Sequence, residues 1–183
     1  MAFFPHESGL RMALDEDRTF FPESAPQSVT DKSGFRPADF VVWQRSPKRG
    51  NIFSIVELKS SLPHPDTTAA SGDSLRRVRF QEVHTKLWQT LLYWKAHALN
   101  RLHPKDRCPL PPGFDDPSLF QETIQFILVI TRPEDPSFQQ ATEGFRKVFR
   151  PLARAYGIQQ RDIMVLTAEK AAHMNLFRIV EGT

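Results

Sequence analysis

The chain is poor in the residues that build a disulfide scaffold or a thiolate metal centre. Cys108 is its only cysteine, which excludes an intrachain disulfide and a cysteine zinc site and points to the cytoplasm. The six histidines, at 6, 64, 84, 97, 103 and 173, show no zinc-ligand spacing. No apolar run reaches the roughly 20 residues of a membrane span, so no membrane association is expected. At the N-terminus Pro5, His6 and Glu7 interrupt the apolar start, which argues against a signal peptide. A Walker loop, a dinucleotide fingerprint and a Gly-x-Ser-x-Gly elbow are all missing. Nucleotide-driven work would therefore need a partner. The formal net charge is only +3, a weak general argument for nucleic acid.

What is present is ordinary in amount and uneven in placement. The 183 residues, 40% hydrophobic and 25% charged, suit one soluble domain, 1–183, with a real core. His6–Asp17 predicts a short helix and Thr19–Phe21 a short strand, followed by a polar loop from Pro22 to Gly34. Leu62–Gly72 predicts a surface loop. Asp73 or Ser74 can cap a long helix running to about Leu102. Phe80, Val83, Leu87, Leu91, Trp94 and Ala98 form its buried stripe, while Lys86, Gln89, Tyr93 and His97 form a polar one. After a proline-rich loop, Ile124–Thr131 reads as a strand covered on both faces. Asp135 and Pro136 signal the start of a helix that Gly157 closes. Ile163–Leu166 is a further strand, Thr167 caps a helix to about Met174, and Leu176–Val180 reads as a last strand. The order predicts an α/β or α+β domain of three layers, a mixed central sheet flanked by helices.

The most informative stretch is Arg36–Ser61. Two strands, Asp39–Gln44 and Ile52–Lys59, flank the turn Ser46–Asn51. Glu57 and Lys59 are two apart, so they project from one face of an otherwise apolar strand. Charges in such a place are costly unless they are paired, coordinated or used. Asp39 opens the partner strand. Two carboxylates and a lysine converging on a sheet suggest a divalent-metal site. Asp39 and Glu57 are hard oxygen ligands suited to Mg²⁺ or Mn²⁺, and Lys59 would orient a water or stabilise developing negative charge. Basic clusters at Arg45/Lys48/Arg49, Arg76/Arg77/Arg79/Lys86 and Arg146/Lys147/Arg150/Arg154 are either solvated faces or phosphate contacts. Those of the second cluster that fall in the first helical turns oppose the helix dipole, a penalty that a docking polyanion would reverse.

Pro37-Ala38-Asp39, then seventeen residues, then Glu57-Leu58-Lys59 resembles the signature of the PD-(D/E)xK, or restriction-endonuclease-like, nuclease superfamily. Gln89-Thr90-Leu91-Leu92-Tyr93 is similar to the QxxxY motif of its RecB-like and Cas4-like branch. Glu57-Leu58-Lys59 is the only acidic-x-Lys in the chain, and ten glutamines meet only two tyrosines. Ala38 between the Pro and the Asp is a departure without chemical consequence. The resemblance covers about residues 5–131 and would leave 132–183 peripheral. It implies a restriction-endonuclease-like fold, a Mg²⁺- or Mn²⁺-dependent deoxyribonuclease activity, and a metal bound by Asp39, Glu57 and the Leu58 backbone carbonyl. It also implies an acidic ligand on the first helix, with Glu7 the candidate and Glu16 the competitor. Gln89 and Tyr93 would support the site or bind DNA, with Lys86, Arg76, Arg77, Arg79, Lys48 and Arg49 toward phosphate.

These residues support a DNase of recombination, repair or defence type. No sequence-reading module is evident, so specificity would come from DNA structure, from ends, or from a protein partner or second copy. The alternatives are a non-catalytic nucleic-acid-binding or assembly module on the same fold, and an RNase.

Overall fold

The computed structural model describes residues 2–5, 10–26, 34–62, 72–132 and 138–180, with backbone alone for 2–5, 72–74 and 138–139. Glu7, the 63–71 part of the expected loop and the Asp135–Pro136 helix start lie outside the described residues. A five-stranded sheet forms the middle layer. Its strands are β3 (Thr19–Phe20), β4 (Phe40–Ser46), β5 (Gly50–Lys59), β6 (Thr123–Ile130) and β7 (Ile163–Thr167), side by side in that order. β3, β4 and β5 pair antiparallel, whereas β5, β6 and β7 are parallel. The mixed sheet and the three layers are those expected from the order of elements.

Helices α1 (Gly72–Ala98) and α2 (Phe138–Tyr156) supply the crossovers and pack on one face. There Phe80, Val83, Leu87 and Trp94 of α1 meet Phe145 and Phe149 of α2 over Val41, Ile55, Phe126 and Leu128. The other face is covered by α3 (Ala168–His173) and by a small antiparallel sheet of β1 (Ala2–Pro5), β2 (Arg11–Leu14) and β8 (Arg178–Ile179). Met12, Leu14, Ala171 and Phe177 pack there on Phe40, Val56, Leu58 and Ile127. β5 and β6 are thus covered on both sides, as their unbroken apolar character requires. The C-terminal third, expected to be peripheral, contributes a sheet strand and the fully buried Phe145 and Phe149. No helix among the described residues is long and apolar enough to cross a membrane.

Two expectations change. The helix proposed for His6–Asp17 is not formed in its described part. Arg11–Leu14 is a strand between β1 and β8, and Glu16–Arg18 is a 3₁₀ turn whose Asp15 cap accepts from the Asp17 amide. Partners at both ends of the chain outweigh the local helical pattern. The long helix stops at Ala98 rather than Leu102, because Asn100 adopts φ +54° and the Arg101 amide bonds back to the Ala96 carbonyl, a left-handed closure of the last turn. Gly157 closes α2 and Asn175 closes α3 in the same way, with φ +67° and +58°. Thr167 caps α3 as expected, its hydroxyl accepting from the Lys170 amide.

Candidate active site

The β4–β5 register runs from Ser46 opposite Gly50 to Phe40 opposite Val56, and Asp39 and Glu57 are the residues that adjoin this last pair. The Asp39 amide donates to the Val56 carbonyl at 3.1 Å, and the Leu58 amide donates to Asp39 Oδ2 at 2.6 Å. The two carboxylates are close enough for the Asp39 charge to act on Glu57, so compensation is needed close by.

That compensation comes from two lysines. Glu57 is wholly buried. Its Oε1 takes the Lys59 ammonium at 2.7 Å and the Lys86 ammonium at 2.8 Å. Its Oε2 is buried and has no hydrogen-bond partner among the described residues. Burial raises the Glu57 pKa, and Asp39 raises it further against the opposing pull of Lys86 and Lys59. For Lys86, burial pulls the pKa down, but Glu57, Asp39 and Glu23 outweigh it and the net shift is upward. Both lysines keep about a quarter of their side-chain surface in solvent. The site is therefore a desolvated carboxylate at the bottom, two cations above it, and an opening to water.

Lys86 belongs to the centre of the site rather than its margin. It reaches the sheet because the face of α1 that carries it also carries three contacts fixing the helix to the hairpin and its neighbours. Gln89 Oε1 accepts from the Arg36 amide at 2.9 Å, and Thr90 Oγ1 accepts from the Ala38 amide at 2.8 Å. These two bonds hold the backbone that leads into Asp39. The Tyr93 hydroxyl lies 2.9 Å from the Asp106 carbonyl and 3.3 Å from Cys108 Sγ. Burial, then Cys108, pushes its pKa well above the ordinary tyrosine range. Gln89 and Tyr93 thus position the hairpin and the following loop, and Tyr93 is only 5% exposed.

The remaining expected residues are dispersed. Lys48 and Arg49 sit in the turn at the opposite end of the hairpin. Eight residue steps lead from Arg49 to Glu57, about 26 Å at the usual rise, and Arg49 is bonded to buried Asp162. Arg79 lies two helical turns before Lys86 on the same face and pairs with Glu82 at 2.9 Å. Arg77 is exposed on another side of α1, and Arg76 is buried. Glu16 is exposed in the 3₁₀ turn ahead of β3. Glu23, exposed in the 3₁₀ turn Pro22–Ser24 and close enough for its charge to act on Lys86, is the acidic residue that the sequence does not single out. It lies in a polar stretch with no periodicity to mark it.

Among the described residues no three His, Cys, Asp or Glu side chains are grouped to hold a metal. The protein can offer two carboxylates, a donor set that suits an ion which retains several waters, such as Mg²⁺. The partnerless Oε2 of Glu57 is the atom that fits such an ion. No protein-family model, curated protein or solved structure matches this chain.

Proposed function

We propose that the protein is a metal-dependent nuclease that hydrolyses DNA phosphodiester bonds at Asp39, Glu57 and Lys59. The observation that carries this reading is the buried Glu57 carboxylate. One oxygen is held by two lysines and the other has no partner among the described residues, beside a second carboxylate. A buried charge with an open valence costs stability, and a site that binds a cation recovers that cost. Mg²⁺ or Mn²⁺ held by Asp39 and Glu57 would polarise the phosphate and acidify a water. Lys59, braced by Glu57 and open to solvent, stabilises negative charge as the water oxygen bonds to phosphorus and the bond to the leaving strand breaks. The water proton ends on the departing oxygen, leaving one phosphate monoester and one hydroxyl. Lys86 balances the second unit of carboxylate charge, and Gln89 and Thr90 keep Asp39 in register.

The same ion triad supports a second reading, a non-catalytic nucleic-acid-binding module in which Lys59–Glu57–Lys86 is purely structural. Plasmid and linear DNA, single- and double-stranded, incubated with the full chain in Mg²⁺ or Mn²⁺ separate the two. Wild type should cut and Lys59→Ala should not; equal behaviour of the two proteins on every substrate overturns the nuclease reading. A parallel RNA arm decides the sugar.

A further inference from the structure

On the flank of α1 turned from Lys86 runs a second stripe: Arg77, Gln81, His84, Trp88, Leu92 and Lys95, at steps of three and four. It forms one wall of a valley whose other wall is α2. Two cavities lie along it, about 890 Å³ between residues 76–84 and 140–152 of the two helices, and about 390 Å³ between residues 88–95 of α1 and the segments 120–124 and 156–162, where α2 contributes its last residue, Tyr156. The helices approach closely at Gly144, where a Cβ would stand 3.0 Å from the Phe80 ring.

The two ends of the valley have different chemistry. Arg77 and Lys147, both exposed, outnumber Glu143 at the upper end. Pro151, also in that wall, has no N–H to give the Lys147 carbonyl. At the lower end Tyr156 is 52% exposed and Leu92 44% exposed. The Tyr156 ring meets Trp88 edge-on at 4.8 Å, and Lys95 and Arg161 line the same cavity together with Glu122, bonded by Asn51, and Asp162, bonded by Arg49. Between the ends, both ring nitrogens of His84 are buried without a partner among the described residues, and its ring lies against Phe149. Burial lowers the His84 pKa, so the neutral ring holds one donor and one acceptor.

Cations at both ends, with an exposed Tyr156 ring set on a half-buried Trp88, suit a polyanion whose flat groups are free to stack. A duplex hides its bases; a single strand does not. We propose that the valley between α1 and α2 binds a single strand of nucleic acid, with phosphates on Arg77 and Lys147 and bases against Tyr156 and Trp88. From Arg77 to Lys95 the helix rises about 27 Å, enough for about four nucleotides, the low end of single-strand site sizes. The class of ligand rests on the nuclease reading; the site itself is separate from Glu57.

The test is fluorescence anisotropy of labelled eight-nucleotide oligo-dT and oligo-U with the full chain in EDTA, where no cleavage occurs. Wild type should bind at least one of them more tightly than a duplex of equal length. Tyr156→Ala should weaken binding about tenfold, the scale of one stacked base. Arg77→Glu with Lys147→Glu should weaken it further and flatten the salt dependence, by about 0.7 in log–log slope for each phosphate no longer neutralised. Tryptophan fluorescence quenched by the oligomer in wild type should be unquenched in Trp88→Phe. All the charge-reversal and Tyr156 positions are exposed, so folding is preserved. Wild-type affinity in the variant that combines Arg77→Glu, Lys147→Glu and Tyr156→Ala, or tighter binding of duplex than of either oligomer, overturns the proposal. Cleavage by wild type against Lys59→Ala judges the nuclease reading separately, since binding in EDTA does not depend on it.

Discussion

Two carboxylates are buried at opposite ends of the same sheet, Glu57 near the C-terminal end of the central strand β5 and Asp162 just before β7, and they are finished differently. Asp162, 3% exposed, receives Arg49 Nη2 at 2.5 Å and Gln125 Nε2 at 3.2 Å on one oxygen. Gln125 in turn accepts from Ser54 Oγ at 3.0 Å. This chain ties together β5, β6 and the turn before β7, and it leaves none of its buried side-chain polar atoms without a partner. Glu57 has cations just as near but keeps a bare buried oxygen and a raised pKa. Closing every valence is what a structural network does. Leaving one open, next to a second carboxylate and a route to water, is how a site stays ready for a ligand.

The largest test of that contrast is catalytic. Asp39→Ala or Lys59→Ala should reduce metal-dependent cleavage by about 10²–10⁴-fold, while Asp162→Ala, assayed where it is folded, should stay within a few-fold of wild type. Next comes stability. Asp162→Ala strands the Gln125 amide and should cost about 1–3 kcal/mol by urea unfolding, whereas Glu57→Gln should cost less, because burial and Asp39 already disfavour the Glu57 charge. If Glu57→Gln proves as damaging as Asp162→Ala, Glu57 is a structural group and the contrast fails. Mg²⁺ or Mn²⁺ at ten times its Kd should stabilise wild type by about 1.4 kcal/mol. The thermal midpoint of Glu57→Gln should not respond. The smallest effect concerns His84, whose pKa is lowered from 6.5 by burial. The unfolded chain takes up a proton below that value before the folded chain does, so stability falls as pH drops through about 6.5 toward the folded pKa. His84→Phe should remove that part of the acid slope while leaving the Asp162 and Glu57 results untouched.

Local chemistry is enough to read the hairpin, the α1 stripe and the Thr167 cap, because strand alternation, helical periodicity and capping are properties of neighbouring residues. Glu57 and Lys59 on one face follow from a spacing of two, and the structure joins them at 2.7 Å. Arg11–Leu14 is illegible because its partners, Ala2–Pro5 and Arg178–Ile179, are supplied by both ends of the chain. Lys86 reads in the sequence as a phosphate contact. Its neighbour in the fold, Glu57, is 29 residues away, and only the seating of α1 on the sheet brings them together. Arg49 looks like part of a basic patch, while Asp162 lies 113 residues on. In each case the decisive partner is set by topology rather than by sequence distance.

The turn at Pro47–Arg49 has a consequence for the far end of the hairpin. Because β4 and β5 pair without a bulge from Ser46–Gly50 to Phe40–Val56, that turn acts as the zero mark of a ruler that runs to the residues adjoining Asp39 and Glu57. A single inserted residue would offset the two strands by one and send one carboxylate through to the opposite face of the sheet. Two inserted residues would restore the face but slide the acids past each other by a strand step. The site's geometry is therefore written in parity, at a loop that never touches it.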